Sequence, residues 1–323
     1  MAVYPLKFSP IFKERIWGGE KLKTKLQKPG ASVGIGESWE ISTVPGSIST
    51  VSNGALKGQS LIQLIKSYGA ALIGDQVFND FGTDFPILIK FIDADQDLSI
   101  QVHPNNSLAM ERHGCMGKTE MWYVMEADPG SSLIVGFTPG IDQESYIDHL
   151  DKEHLVNILE KHSVTKGDAF FIETGTVHAI GAGVLLAEIQ QTSDITYRVF
   201  DFNRKDLAGN LRELHTEQAL GALSFTHKEN YKSFYKTTTN LANEVVSSPY
   251  FKTNYLPIQG TYKDSSILRG SFKIYICVQG SGLISNEFGS EPISYGETVL
   301  MAAQSGFIEI NSAKGAVFLE VCY

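Results

Sequence analysis

The chain has 323 residues, of which 42% are apolar, 20% charged and 11% aromatic. That composition is globular and excludes a disordered, collagenous or coiled-coil chain, and the length suggests about two domains at roughly 150 residues each. Asp and Glu outnumber Lys and Arg by 36 to 27, a net charge of −9, which argues against a nucleic-acid surface built on clustered cations but leaves room for one basic pocket.

The N-terminal 19 residues carry Pro5, Pro10 and four charged side chains (Lys7, Lys13, Glu14 and Arg15), where a secretory signal needs an unbroken apolar stretch. Next, Leu61, Leu64, Ile65 and Tyr68 follow helical spacing behind Ser60, a candidate N-cap. Short extended segments then alternate with Gly, Pro, Asn and Asp turns: 86–93, 97–103, 120–126 and 132–137. A second helical stretch is read over 142–161, broken near Asp151, followed by extended segments at 168–173, 183–191 and 195–201. A third helical stretch lies near 213–223, and the polar run 226–246 is read as the passage between domains. Extended segments resume at 271–279, 297–302, 307–311 and 316–322. Many short strands at this spacing predict a mainly β fold of sandwiches or barrels.

No apolar run approaches the ~20 residues of a membrane span. Cys115, Cys277 and Cys322 are odd in number, far apart and without CxxC spacing, so neither a disulfide framework nor a thiolate zinc site is indicated. A reducing, cytoplasmic compartment is expected.

An internal echo is visible. Trp122-Tyr123-Val124 and then Gly167-Asp168-Ala169-Phe170-Phe171-Ile172 resemble Ile274-Tyr275-Ile276 and then Gly296-Glu297-Thr298-Val299-Leu300-Met301. Each is an extended segment followed by a Gly-acid turn that opens another strand, which suggests two related barrels in tandem. In that alignment Glu120 matches Phe272 and His178 matches Phe307, so the second copy lacks the polar residues of the first.

Four stretches can carry chemistry. In an extended Leu98-Ser99-Ile100-Gln101-Val102-His103, alternate residues share a face, so Ser99, Gln101 and His103 point one way. Lys118 and Glu120 likewise share a face. His178 sits in the Gly-bounded, otherwise apolar Gly175-Thr176-Val177-His178-Ala179-Ile180-Gly181. Each alone has an ordinary structural explanation: a wet strand face, a solvated ion pair, a core imidazole. Together, Gln101, His103, Glu120 and His178 offer two imidazoles, a carboxylate and an amide oxygen, a donor set suited to a catalytic divalent metal with an open position. Asp194 and Arg198, four apart in a β-rich run, could reach the same cavity, where Arg198 would be a fixed cation for anionic oxygens.

With those residues in view, the sequence resembles type I phosphomannose isomerases. The likeness rests on Leu98-Ser99-Ile100-Gln101-Val102-His103-Pro104-Asn105, Lys118-Thr119-Glu120, Gly175-Thr176-Val177-His178, and Asp194 with Arg198. Trp17-Gly18-Gly19 and Gly36-Glu37-Ser38-Trp39-Glu40 add to it. The resemblance implies two cupin-type (jelly-roll) β-barrels in tandem with a few flanking helices. The division expected is 1–240 as an N-terminal catalytic cupin domain with inserted helices and 241–323 as a C-terminal cupin-like domain without metal ligands. It implies one zinc ion per chain on Gln101, His103, Glu120 and His178, catalytic roles for Lys118, Asp194 and Arg198, and substrate contacts from Ser99, Lys118 and Arg198. The implied reaction interconverts mannose 6-phosphate and fructose 6-phosphate by proton transfer between C1 and C2 through an enediol, with the small phosphosugar as partner and neither nucleic acid nor membrane. Lys118 needs a depressed pKa to act as the base, and the residues do not decide between it, Asp194 and a metal-bound water, nor do they fix an oligomeric state. The rival readings are an iron-dependent cupin oxygenase, since two His and a carboxylate also suit Fe(II), and a non-catalytic phosphosugar-binding cupin.

Overall fold

A computed structural model of the chain describes residues 3–152, 154–205, 209–264 and 270–323. In chain order the strands are β1 (Ile11–Gly19), β2 (Ile35–Ile41), the small hairpin β3 (Thr43–Val44) and β4 (Ser47–Ile48), β5 (Ile87–Ala94), β6 (Ile100–Val102), β7 (Glu120–Ala127), β8 (Ser132–Phe137), β9 (Leu159–Ser163) and β10 (Ala169–Ile172). They continue with β11 (His178–Ile180), β12 (Val184–Gln191), β13 (Tyr197–Phe200), β14 (Lys232–Ser233), β15 (Asn243–Ser247), β16 (Lys252–Asp264), β17 (Lys273–Asn286), β18 (Gly289–Ser294), β19 (Thr298–Met301) and β20 (Ile308–Cys322). Among the described residues, seven short α-helices lie between them: α1 (Lys21–Thr24), α2 (Leu61–Tyr68), α3 (Ala70–Ile73), α4 (Asp75–Phe81), α5 (Asn106–His113), α6 (Gln143–Asp151) and α7 (Thr216–Leu220).

Among the described residues these strands form three larger antiparallel sheets besides the β3–β4 hairpin. The first runs β1-β2-β5-β12-β7-β10-β14, the second β13-β6-β11-β8-β9, and the third β15-β16-β20-β17-β18 with β19 on β17. The first two face each other over a core of Trp17, Ile92, Trp122, Leu133, Val135, Phe170, Ile180 and Leu186, drawn from both. The opposite face of the first sheet packs Ile87, Ile89, Phe91, Met121, Tyr123 and Ile189 against Ile274, Ile276 and Leu319 of the third and against α2. Covered on both faces, β5 and β12 are buried along their whole length, as a central strand with apolar partners on either side must be.

The expected strands form, most within a residue or two of their expected limits; the 97–103 segment is strand only at Ile100–Val102, and 307–311 and 316–322 fuse into the single bent strand β20. Ser60 caps α2 in a capping box with Gln63. The stretch 142–161 is helical only through α6; from Leu155 the chain makes one tight 3-10 turn and becomes β9, whose pairing with β8 overrides helical spacing. The helix near 213–223 shortens to α7, and the run 226–246 contributes β14 to the first sheet and opens the third with β15.

Hydrogen-bond register also corrects the alignment of the internal echo. The Gly167 N–H donates to Val124 O and the Gly296 N–H to Cys277 O, and in each turn the following acid's carbonyl accepts from that same partner. Val124 therefore matches Cys277, so Trp122 matches Tyr275 and Glu120 matches Lys273, one residue away from Phe272. The agreement extends inward. Glu188 pairs with Trp122 and Lys90 across the first sheet, and Glu320 pairs with Tyr275 and Asn254 across the third. Trp122 Nε1 donates to Glu188 at 3.0 Å and the Tyr275 hydroxyl to Glu320 at 2.9 Å. The second copy thus keeps buried polar residues, with an ammonium where the first has the Glu120 carboxylate; Lys273 bonds Asp264 and Glu320 there.

Candidate metal centre and its cavity

Strand pairing brings the donors together. On β6, Gln101 lies opposite His178 of β11 on one side and Arg198 of β13 on the other, and cross-strand partners project side chains to the same face. His103 follows directly after β6. Glu120 opens β7 in the facing sheet, opposite Gln190 and Ile172. The chain reaches His178 through Gly175, whose N–H donates to His103 O at 2.9 Å. Gly175 has φ +86, and a Cβ there would meet Ala222 O at 3.0 Å; glycine supplies a turn that other residues adopt only with strain.

His103, Glu120 and His178 each present a donor atom within 4.8 Å of the others, and all three are buried. His103 Nδ1 bonds Ile195 O at 2.9 Å and His178 Nδ1 bonds Thr176 O at 2.8 Å. A carbonyl only accepts, so each Nδ1 carries the proton and each Nε2 is a lone pair. Those two lone pairs face each other at 3.1 Å, an arrangement that neither imidazole relieves and that a shared cation does. Glu120 lies 3.4 Å from His103 Nε2 and 3.5 Å from His178 Nε2, and its Oε1 is buried without a hydrogen-bond partner. The Gln101 amide is 3.2 Å from His178 Nε2; a half-turn about its last bond turns its oxygen to the same point. The residues fit a divalent metal.

Electrostatics agree. Burial, then the Lys118 ammonium, pushes the His103 pKa down to about 3, and burial lowers His178, so both rings are neutral ligands at pH 7. Burial alone would raise Glu120, but the Lys118 ammonium is the chief influence opposing it, and the carboxyl is held well below its ordinary range. For Lys118, burial works downward while Glu120 and Glu188 carry the net shift upward. The depressed pKa expected of a base at Lys118 is therefore opposite to the direction its carboxylate neighbours impose.

Lys118 reaches into the cluster, bonded to Glu120, 3.1 Å from His103 Nε2 and 3.7 Å from Glu188. Glu188 also takes Lys90 at 3.0 Å and the Trp122 indole. Beside this lies a cavity of about 360 Å³. Ser99, Gln101, Lys118, Asp194 and Arg198 line it, with Ser99 buried and Asp194 exposed on the loop between β12 and β13. Arg198 Nη1 donates to Glu213 O, and the Arg198 N–H to His215 Nδ1.

Trp17 and Trp39 also line the cavity while almost wholly buried. Sequence reasoning missed Lys90, Glu188, Glu37, Arg15 and Arg212, which share the cavity wall. For Lys90 and Glu188 a signal existed: charges in the middle of apolar strands, where lone charges are costly. His113, His149, His154, His162, His215 and His227 lie at or near the surface and join no ligand cluster among the described residues.

Comparison with known proteins agrees with this geometry. Residues 6–130 match the family model of the phosphomannose isomerase type I catalytic domain. The chain is 39% identical to the mannose-6-phosphate isomerase of Streptococcus mutans over 262 residues, 80% of each chain. It is 34% identical to mannose-6-phosphate isomerase ManA of Bacillus subtilis, over 93% of this chain and 94% of that one. The crystal structure of a mannose 6-phosphate isomerase from Bacillus subtilis superposes with a TM-score of 0.88 at 32% identity, covering 99% of this chain and all of the other, and so carries the same cupin fold.

Proposed function

The chain belongs to the type I phosphomannose isomerase family, and on that basis we propose that it interconverts mannose 6-phosphate and fructose 6-phosphate, using one zinc ion held by Gln101, His103, Glu120 and His178. The observation that carries the metal is the facing pair of Nε2 lone pairs beside the partnerless Glu120 oxygen. Bound there, a divalent ion supplies Lewis-acid stabilisation of negative charge on substrate oxygens.

The rest of the work falls to side chains. Lys118 is the ionisable group nearest the cluster that is not itself a ligand, so it holds and returns the C1/C2 proton through Nζ. Drawing Glu120 toward a cation weakens the largest interaction that keeps Lys118 protonated, which moves it toward a working base. Arg198 adds fixed positive charge for the enediolate or the phosphate, Ser99 offers a hydroxyl to the sugar, and Asp194, at the mouth, is placed to bond a sugar hydroxyl or relay a proton. Trp17 and Trp39 form an apolar wall that limits water around the reacting carbons. No described helix is long and apolar enough to cross a membrane. The cysteines are free, in keeping with a cytoplasmic location.

A coupled assay with mannose 6-phosphate, run alongside metal analysis, tests the reading. Turnover with about one zinc per chain is the expected result. His178→Ala should lose the metal and with it nearly all activity, and Lys118→Met should keep the metal while kcat falls about 10²–10⁴-fold, the range for loss of a positioned proton carrier. Oxygen uptake with bound iron, or phosphosugar binding without turnover, would replace this reading. Full activity in His178→Ala would remove the metal from it.

A further inference from the structure

Lys118 is engaged deep in the cavity by two carboxylates, so a substrate phosphate must be held elsewhere. In a chain of net charge −9, three guanidiniums line this one cavity: Arg15 from β1, Arg198 from β13 and Arg212 from the segment beyond it. Their carboxylate partners are few and shared. Glu37 accepts from Arg15 Nε at 2.8 Å with one oxygen and from Trp39 Nε1 at 2.6 Å with the other. Asp201 accepts from both Arg204 and Arg212. Among the described residues, no carboxylate lies within 4 Å of the Arg198 guanidinium, and its buried Nε has no partner.

We propose that Arg15 and Arg212, together with Arg198, form the seat for the phosphate of the substrate and make the site selective for phosphorylated over free hexoses. This rests on the isomerase reading above. Gln101 and Lys118 of the cluster line the same cavity as these guanidiniums, with Arg198 on the strand next to Gln101, so one hexose phosphate bound there can meet both the cluster and the guanidiniums. A phosphate monoester carries close to two negative charges and takes paired N–H donors from guanidinium forks. Burial and then the Arg212 guanidinium lower Arg198 below the ordinary arginine value; burial also lowers Arg212, where Asp201 opposes the shift and Arg204 and Arg15 add to it.

The test compares zinc-loaded wild type with Arg15→Met and Arg212→Met. KM for mannose 6-phosphate should rise about tenfold or more in each, with kcat within about threefold, because binding common to ground and transition states is lost. Inhibition by inorganic phosphate should weaken in parallel, zinc content should stay the same, and Arg→Lys should recover part of the loss. Unchanged KM and unchanged phosphate inhibition in both variants would overturn the seat, as would a fall in kcat alone. If a Met variant fails to fold, the Lys variant carries the same measurements. Absence of turnover in the wild type would count against the isomerase reading instead. Phosphate binding measured by calorimetry on wild type and variants would still decide whether the guanidiniums hold the anion.

Discussion

At the level of single residues, the site is a set of buried groups that are unfavourable apart and compatible only around a cation. His103 and His178 are neutral and lone-pair-inward because their Nδ1 protons are taken by carbonyls. That gives a pH prediction for metal-stripped protein. His103 titrates near 3 in the fold and His178 is also lowered, whereas an unfolded His titrates near 6.5. Below that value the unfolded chain binds protons the native state refuses, so stability is full above pH ~6.5 and falls as pH drops toward 3. Urea midpoints at pH 7.5, 5.5 and 4.5 should decline, and His178→Gln should flatten the decline; a slope unchanged by the substitution would show that the buried rings are not its source. The chemistry of these residues was legible from residue type and spacing. The guanidiniums were not, since Arg15 and Arg212 are ordinary surface residues until folding sets them on one cavity.

At the level of elements, strand alternation explains why scattered positions converge. Alternate residues of β5, β7 and β12 turn toward the second sheet, among them Lys90, Glu120, Trp122 and Glu188, while Phe91, Met121 and Ile189 turn toward the third. Turns then aim what the strands carry. Gly175→Val should cost about 1–3 kcal/mol from the forced positive φ and should also lower zinc occupancy, since it displaces His178. Ser60→Ala removes one half of the α2 capping box and should cost about 1 kcal/mol with zinc occupancy and turnover unchanged. Thermal melts with metal analysis separate the two; equal zinc loss in both would mean that the glycine has no special hold on the site. Helical spacing over 142–161 misled because pairing with β8 claimed its second half.

Across the whole molecule, the two barrels share a register and differ in the charges they bury. Where the first has Glu120 facing His103 and His178, the second has Lys273 bound to Asp264 and Glu320. An internal ammonium there neutralises carboxylates within the second barrel. Removing one member of a buried ion network typically costs about 3–5 kcal/mol, so Lys273→Met should lower the unfolding free energy by that order, read from denaturant melts. The kcat/KM of the molecules that remain folded should match wild type. A loss of kcat/KM at full folding would instead assign the second barrel a part in the reaction.

Local patterns determined what depends on neighbours in the chain: the mainly β class, the alternating faces and the cap at Ser60, with Gln101, His103, Glu120 and His178 marked as candidate donors by residue type alone. These follow from side-chain chemistry and a two-residue period, which need no knowledge of distant segments. Tertiary structure alone decided what depends on pairing between strands far apart in sequence. It matched Glu120 to Lys273, turned the Lys118 pKa upward beside Glu120 and Glu188, and brought Arg15, Arg198 and Arg212 to one cavity, because electrostatic energy depends on distance in space and on burial, neither of which the order of residues contains.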